Sequence, residues 1–171
     1  IEGIVDFLVD NGAGFFDAIS ESLSSLIYGL TDLLLWVPPS VMVALFAVAA
    51  YFRHRSWGLA VFTLISFLLI WNLGYWEDTM ATLSLVLYAT LLCVVIGIPL
   101  GIYAAHHQWL YKGLQPVLDL MQTIPPFVYL IPTLTLFGLG VVPGVISTVI
   151  FAIAAPVRLT YLGISQVPTE L

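Results

Sequence analysis

The 171-residue chain is 61% hydrophobic and only 8% charged, with a mean hydropathy of +1.07; a soluble domain is about one-quarter charged. Composition therefore excludes a soluble globular domain and points to an integral membrane protein. Ten acids against four bases give a net charge of −6, which excludes a nucleic-acid interface.

Cys93 is the single cysteine, so no internal disulfide is possible. The acidic start at Ile1 has no basic n-region and does not read as a cleavable signal peptide. The expectation is a chain that begins further upstream.

Residues 1–37 do not read as a spanning segment. Glu2, Asp6 and Asp10 recur every four residues and would share one helical face, and Asn11-Gly12 is a turn signal that should break that helix. Phe16, Ile19, Leu23, Leu26, Leu30 and Leu33 then step by three and four. Asp17, Ser20, Glu21, Ser24, Ser25 and Asp32 lie largely off the stripe. The pattern predicts an amphipathic helix over 15–36 lying in the membrane interface, with a coiled-coil seam as the competing reading. The segment holds no Lys or Arg, so anionic cytoplasmic lipid does not attract it and the outer face suits it better.

Pro38-Pro39-Ser40 opens a helix. Val41 to Phe52 is uniformly apolar and ends at Arg53-His54-Arg55, a first, short span of about 15 residues against the usual ~20. Between Arg55 and Glu77 lie 21 residues without a charge. They predict a second span ending in the interfacial aromatics Trp71, Tyr75 and Trp76. Thr79 to Ala105 reads as the third. Its Gly97-Ile-Pro99-Leu-Gly101 has the small-xxx-small spacing that lets helices approach closely, with Pro99 as a kink. Packing is favoured there over contact with a solute. His106-His107-Gln108-Trp109 and Lys112 read as a polar loop, and adjacent histidines without further ligands do not make a metal site.

Leu114 to Phe137 reads as a fourth span that is apolar yet carries Pro125, Pro126 and Pro132. Each proline removes the N–H that would bond the carbonyl four residues earlier, which strands the carbonyls of Met121, Gln122 and Val128. In hydrocarbon such groups cost several kcal/mol and survive only against protein or a wet cavity. Gln122, Thr123, Pro125, Pro126, Tyr129 and Pro132 are therefore the candidate wall of a translocation path. A proline-kinked packing helix is the alternative. Gly138 to Gly144 reads as a turn, and Val145 to Tyr161 as a fifth span with Arg158 near its boundary.

The fold class expected is all-α: a polytopic helical membrane protein with an amphipathic interfacial N-terminal helix and about five transmembrane helices. The segments are 1–37 at the outer face, 38–76 as two scaffold spans and 77–171 as a transport core. If the five spans alternate, Arg53, Arg55, Lys112 and Arg158 all fall on one side, with Glu77, Asp78 and the acidic start on the other. The positive-inside rule then places the N-terminus outside. Asp119 is the single acid within a span, a candidate for ion coupling or a structural partner for Arg158 or a backbone N–H. No nucleophile–base pair, phosphate loop or ligand cluster is present, so no enzyme activity, cofactor or metal is expected.

Pro116-Val-Leu-Asp-Leu-Met-Gln-Thr-Ile-Pro-Pro-Phe-Val-Tyr-Leu-Ile-Pro132 closely resembles the permease subunit of the glycine betaine/proline betaine ABC importers. Ile96-Gly-Ile-Pro-Leu-Gly-Ile102, Phe137-Gly-Leu-Gly-Val-Val-Pro-Gly144 and Arg158-Leu-Thr-Tyr-Leu-Gly-Ile-Ser-Gln-Val-Pro168 fit in the same order. The resemblance is strong from Trp76 to Leu171. The preceding helices look like the scaffold this family adds before its core. It implies a type I importer with a second permease subunit as homodimer partner, a cytoplasmic ABC ATPase and an external substrate-binding protein. The cargo would be a quaternary ammonium compatible solute taken up for osmoprotection. In the family the ATPase docks on a loop with an E-A-A-x-x-x-G motif that begins just after the position of Leu171. The expectation is that this sequence holds the part of the permease preceding that loop, and that coupling to ATP requires the loop.

Ala155-Pro156, Tyr161 and Ser165 stand where the family favours Pro-Pro, Asn and Arg, which leaves the substrate open. An ion-coupled secondary transporter would need a repeat partner for the Asp119–Pro132 segment, and the sequence has none. A non-transporting scaffold rests only on the absent loop.

Overall fold

A computed structural model describes residues 2–167, and among them every regular element is a helix. They are α1 (Glu2–Trp36), α2 (Pro39–His54), α3 (Trp57–Asn72), α4 (Trp76–His106), α5 (Gln108–Thr123), α6 (Pro126–Phe137), α7 (Val141–Ala152) and α8 (Ala154–Ser165).

α1 runs unbroken through Asn11-Gly12, where a turn is expected from sequence. Gly12 lies one helical turn before Phe16, and a Cβ added there would stand 2.8 Å from the Phe16 ring. The glycine gives the ring room on the helix surface, and the helix absorbs its cost of about 1 kcal/mol. The side chains of Glu2, Asp6 and Asp10, expected on one face, lie outside the described residues.

At Val37 the chain leaves the helix, because a residue preceding proline avoids the α region. Pro39 opens α2, and the path turns by 92°. α2 closes on Arg55, which takes the left-handed conformation (φ 52°) and donates its N–H to the Tyr51 carbonyl at 2.6 Å. That backbone is costly for a residue with a Cβ and reverses the chain within two residues. Ser56 then caps α3, its hydroxyl accepting from Leu59 N–H at 3.4 Å.

The helices gather in two compact units. One holds Ser25–Ser84. Here α2 and α3 form a hairpin, with Phe46 stacked on Phe67 at 4.7 Å. Met42 and Val43 are buried with Trp76 and Met80 at the start of α4. The other unit holds the start of α1 through Ser24 together with Leu85 onward. In it Leu118 of α5 packs on Ala154 and Val157 of α8, lined by Leu100, Leu114, Met121 and Ile153.

Among the described residues, two stretches are long and apolar enough to cross a membrane: Trp76–His106, and Val141–Ser165 taken through the small break at Ile153. Two bent pairs raise the number to four if each is one broken span: Gly14–Trp36 with Pro39–His54, and Gln108–Thr123 with Pro126–Phe137. The count is thus two to four where sequence suggests about five. α3, at 16 residues, is about 24 Å long and falls short of the usual span.

Two boundaries also move. The expected polar loop after His106 shrinks to His107, and α5 already begins at Gln108. His106 and His107 direct Nδ1 to the carbonyls of Ile102 and Tyr103, at 2.9 and 3.1 Å, so both stay attached to the turn before them. The expected turn over Gly138–Gly144 is confined to Gly138–Gly140. Gly138 and Gly140 take φ 73° and 154°, and α7 starts at Val141 with Pro143 inside its first turn, where proline is tolerated.

Candidate functional site

The break between α5 and α6 follows from two consecutive prolines. Ile124 (φ −82°, ψ 127°) and Pro125 (φ −56°, ψ 139°) are both extended, as residues preceding proline must be. The axes of α5 and α6 diverge by 96°, a corner rather than a kink. Three donors converge on the Leu120 carbonyl at that corner: Ile124 N–H at 3.1 Å, the Thr123 hydroxyl at 3.0 Å and the Tyr129 hydroxyl at 3.4 Å. On the other side Val128 N–H bonds the Pro125 carbonyl at 2.9 Å. Tyr129 thus reaches back across the bend and ties α6 to the end of α5.

The sequence-predicted wall residues gather at this corner. Gln122, Thr123, Pro125 and Pro126 are exposed on it and Tyr129 is half-buried. Pro132 lies further along α6, also exposed. The surface they form is uncharged and mixes amide, hydroxyl, proline and phenol groups. Such a surface can hydrate or brush a cation without holding it.

α5 is strongly amphipathic, and its buried side faces α8. Alongside the Leu118 contact, Asp119 Oδ1 lies 2.5 Å from Arg158 Nη2, and the rings of Tyr111 and Tyr161 stack in parallel at 3.4 Å. Asp119 is therefore engaged by Arg158, one of the two structural partners its sequence position suggested. The pair is partly open, with the side chains of Arg158 and Asp119 29% and 53% exposed.

Gly97 and Gly101 meet the same helix α8. A Cβ on Gly97 would stand 2.8 Å from Pro156 Cγ, and one on Gly101 would stand 2.7 Å from both Thr160 Cβ and the Val157 carbonyl oxygen. Pro99, between them, is exposed. It belongs neither to this contact nor to the corner.

One polar pair escaped the sequence reading. Thr133 of α6 and Ser147 of α7 are buried, with their hydroxyl oxygens 3.0 Å apart. Ser147 donates to the Pro143 carbonyl at 2.7 Å, and the Thr133 hydroxyl lies 2.9 Å from the Tyr129 carbonyl. The signal available was weak: two small hydroxyl residues on either side of a glycine turn. At the far end of α6, Phe16 meets Phe137 edge-on at 5.2 Å, and the Ser20 hydroxyl donates to the Phe137 carbonyl at 3.4 Å. Among the described residues no group of three or more His, Cys, Asp or Glu is placed to hold a metal.

Residues 97–171 match the family of binding-protein-dependent transport system inner membrane components. Over 171 residues the chain is 43% identical to the glycine betaine transport system permease protein OpuAB of Bacillus subtilis, covering 100% of this chain and 60% of that protein. The stretch 97–171 belongs to this family of transport-system components. The chain is also 44% identical over 174 residues to the glycine betaine/carnitine transport permease protein GbuB of Listeria monocytogenes, covering 98% of this chain and 61% of that protein. Identity is again 44% over 170 residues to the glycine betaine/proline betaine transport system permease protein ProW of Escherichia coli, covering 99% and 48%. The chain thus spans about half to three-fifths of its relatives' lengths. The region matched by the family holds both glycines, the α5–α6 corner and the Asp119–Arg158 pair.

Proposed function

We propose that this chain forms the translocation path of an ATP-driven importer for a quaternary ammonium compatible solute of the glycine betaine/proline betaine class. It would serve osmoprotection in the inner membrane. The observation that carries the reading is the α5–α6 corner, an uncharged, proline-broken turn of backbone lying in a region shared at 43–44% identity with glycine betaine permease proteins. The backbone groups freed at such a corner are stable only where protein or water receives them. A second permease subunit, completing a homodimer, would supply the opposite wall. A cytoplasmic ABC ATPase and an external substrate-binding protein would supply energy and capture.

The two right-angle corners support an orientation. If α6 enters the membrane, α5 must run along its surface, and strong amphipathicity suits α5 to that place. The same geometry lays α1 over residues 15–36 along the outer interface if α2 crosses. Lys112 on α5 and the Arg53–Arg55 turn then belong to the cytoplasmic side and the N-terminus to the outside. Segments 1–37, 38–76 and 77–171 would serve as outer-face helix, scaffold and transport core. Gly97 and Gly101 would belong to the packing of that core. Asp119 would be a structural acid, since its carboxylate is already paired.

Tyr129 is the residue on which the reading turns. An aromatic face attracts a quaternary ammonium by about 0.5–2 kcal/mol, enough to guide the cargo without trapping it. The test is glycine betaine uptake by the full-length permease assembled with its ATPase and binding protein, expressed per assembled complex. Tyr129→Ala should lower the maximal uptake rate and leave the binding protein's affinity unchanged. Unchanged uptake per complex, with only less permease in the membrane, would make Tyr129 a packing residue.

A further inference from the structure

The reversal from α2 to α3 carries a feature that translocation does not use. Beside it the two helices enclose a groove of about 220 Å³ lined by apolar and aromatic side chains, among them Val48, Tyr51, Phe52, Trp57, Val61 and Leu64. The Tyr51 and Trp57 rings meet at 4.5 Å, at the end of the groove next to the turn. Phe52 and Trp57 are 67% and 71% exposed, so the groove opens outward.

The turn itself is Arg53-His54-Arg55-Ser56, all exposed. It holds two of the four bases in the chain. Arg55 sits at φ 52°, a conformation that side chains with a Cβ rarely adopt. The helix-terminal position of Arg53 complements the carbonyl end of α2, but that role needs neither Arg55 nor a groove.

We propose that this turn and groove seat an anionic phospholipid, with its phosphate on Arg53 and Arg55 and one acyl chain lying in the groove between α2 and α3. Charge complementarity selects the occupant. Basic pockets between membrane helices bind anionic head groups, and aromatic side chains at the mouth suit the depth where head group meets chain. A soluble anion would satisfy the arginines and leave the groove empty. A zwitterionic lipid would fill the groove but bring its own ammonium toward the arginines.

Trp57 lies in the groove wall and reports on its occupant. The full-length permease, in its assembled complex, is reconstituted in phosphatidylcholine vesicles. These contain equal mole fractions of chain-brominated phosphatidylglycerol or chain-brominated phosphatidylcholine. The Trp57 contribution is the emission difference between the protein and its Trp57→Phe variant, which keeps an aromatic ring against Tyr51. Brominated phosphatidylglycerol should quench this contribution several-fold more than brominated phosphatidylcholine. The preference should vanish in Arg53→Gln/Arg55→Gln and persist in Arg53→Lys/Arg55→Lys. Equal quenching by the two lipids in the unmodified protein would overturn the proposal. So would a preference that survives the glutamine pair, or one lost in the lysine pair. Absence of quenching by either lipid would mean that protein, a second copy included, covers the groove, and would overturn it as well.

Discussion

Gly101→Ala should damage this protein far more than an alanine in a membrane helix ordinarily does. The new Cβ would stand 2.7 Å from Thr160 Cβ and 2.7 Å from the Val157 carbonyl oxygen, where real Cβ atoms do not come within 3.0 Å. Rotation of Thr160 can move its Cγ2, but its Cβ and the Val157 carbonyl are both fixed to the α8 backbone and move only with that helix. Forcing one extra methyl into a packed interface costs about 1–3 kcal/mol. With backbone among the obstacles, the upper half of that range applies, about 2–3 kcal/mol, or roughly 30- to 150-fold in the folded-to-unfolded ratio. Gly97→Ala should cost less, since its obstacle is the Pro156 ring, which can change pucker. Gly113→Ala is the control: a Cβ there meets nothing within 4 Å, and replacing a mid-helix glycine gains about 0.5–1 kcal/mol. The assay is thermal denaturation of the solubilised permease, followed by the fraction that still elutes as intact protein. Thr160→Ala should restore little of the Gly101→Ala loss, because it removes the Cγ2 at 3.2 Å but leaves the Cβ and the carbonyl, each at 2.7 Å. An unshifted midpoint for Gly101→Ala, or losses equal at positions 101 and 113, would refute close α4–α8 packing.

Three further outcomes are expected. Asp119→Asn should cost no more than about 1 kcal/mol, because a partly exposed ion pair is screened by water; the loss should shrink at high salt in the same denaturation assay, and one above about 3 kcal/mol would mark a buried pair. Thr133→Val and Ser147→Ala should each destabilise by about 0.5–1.5 kcal/mol, with a coupling of about 0.6 kcal/mol in the double-mutant cycle; strict additivity would deny that the hydroxyls meet. A thiol placed at Asp78 should react with an impermeant reagent from outside the cell and one at Lys112 should not, and the reverse pattern would invert the orientation.

The α5–α6 break was legible because it is a local matter. Two prolines remove two donors, and no packing restores them. The angle of the break was not legible, since the direction taken after Pro125 depends on what receives α6, here Ser147 and Pro143 of α7. The early start of α5 was hidden by His106-His107-Gln108, which reads as a loop by polarity. Both histidines bond carbonyls one turn back, so the chain needs a single residue to pass between helices. Asn11-Gly12 misled for the opposite reason: a strong turn signal was overridden by the Phe16 ring that Gly12 accommodates. The partnership of Asp119 and Arg158 was open from sequence, because 39 residues separate them and only the α5–α8 contact joins the two.

The shortness of α6 bears on how the protein is made. At 12 residues it measures about 18 Å, roughly half the hydrocarbon thickness, so an insertion machinery that judges segments one at a time would find it deficient. Its successor α7 follows after Gly138–Gly140, and the two share the Thr133–Ser147 bond. α6 is thus suited to enter the bilayer as one arm of a preformed hairpin, its polar groups already matched before hydrocarbon surrounds them. Lengthening the glycine connection would separate those arms in time, and biogenesis would suffer before any transport step does.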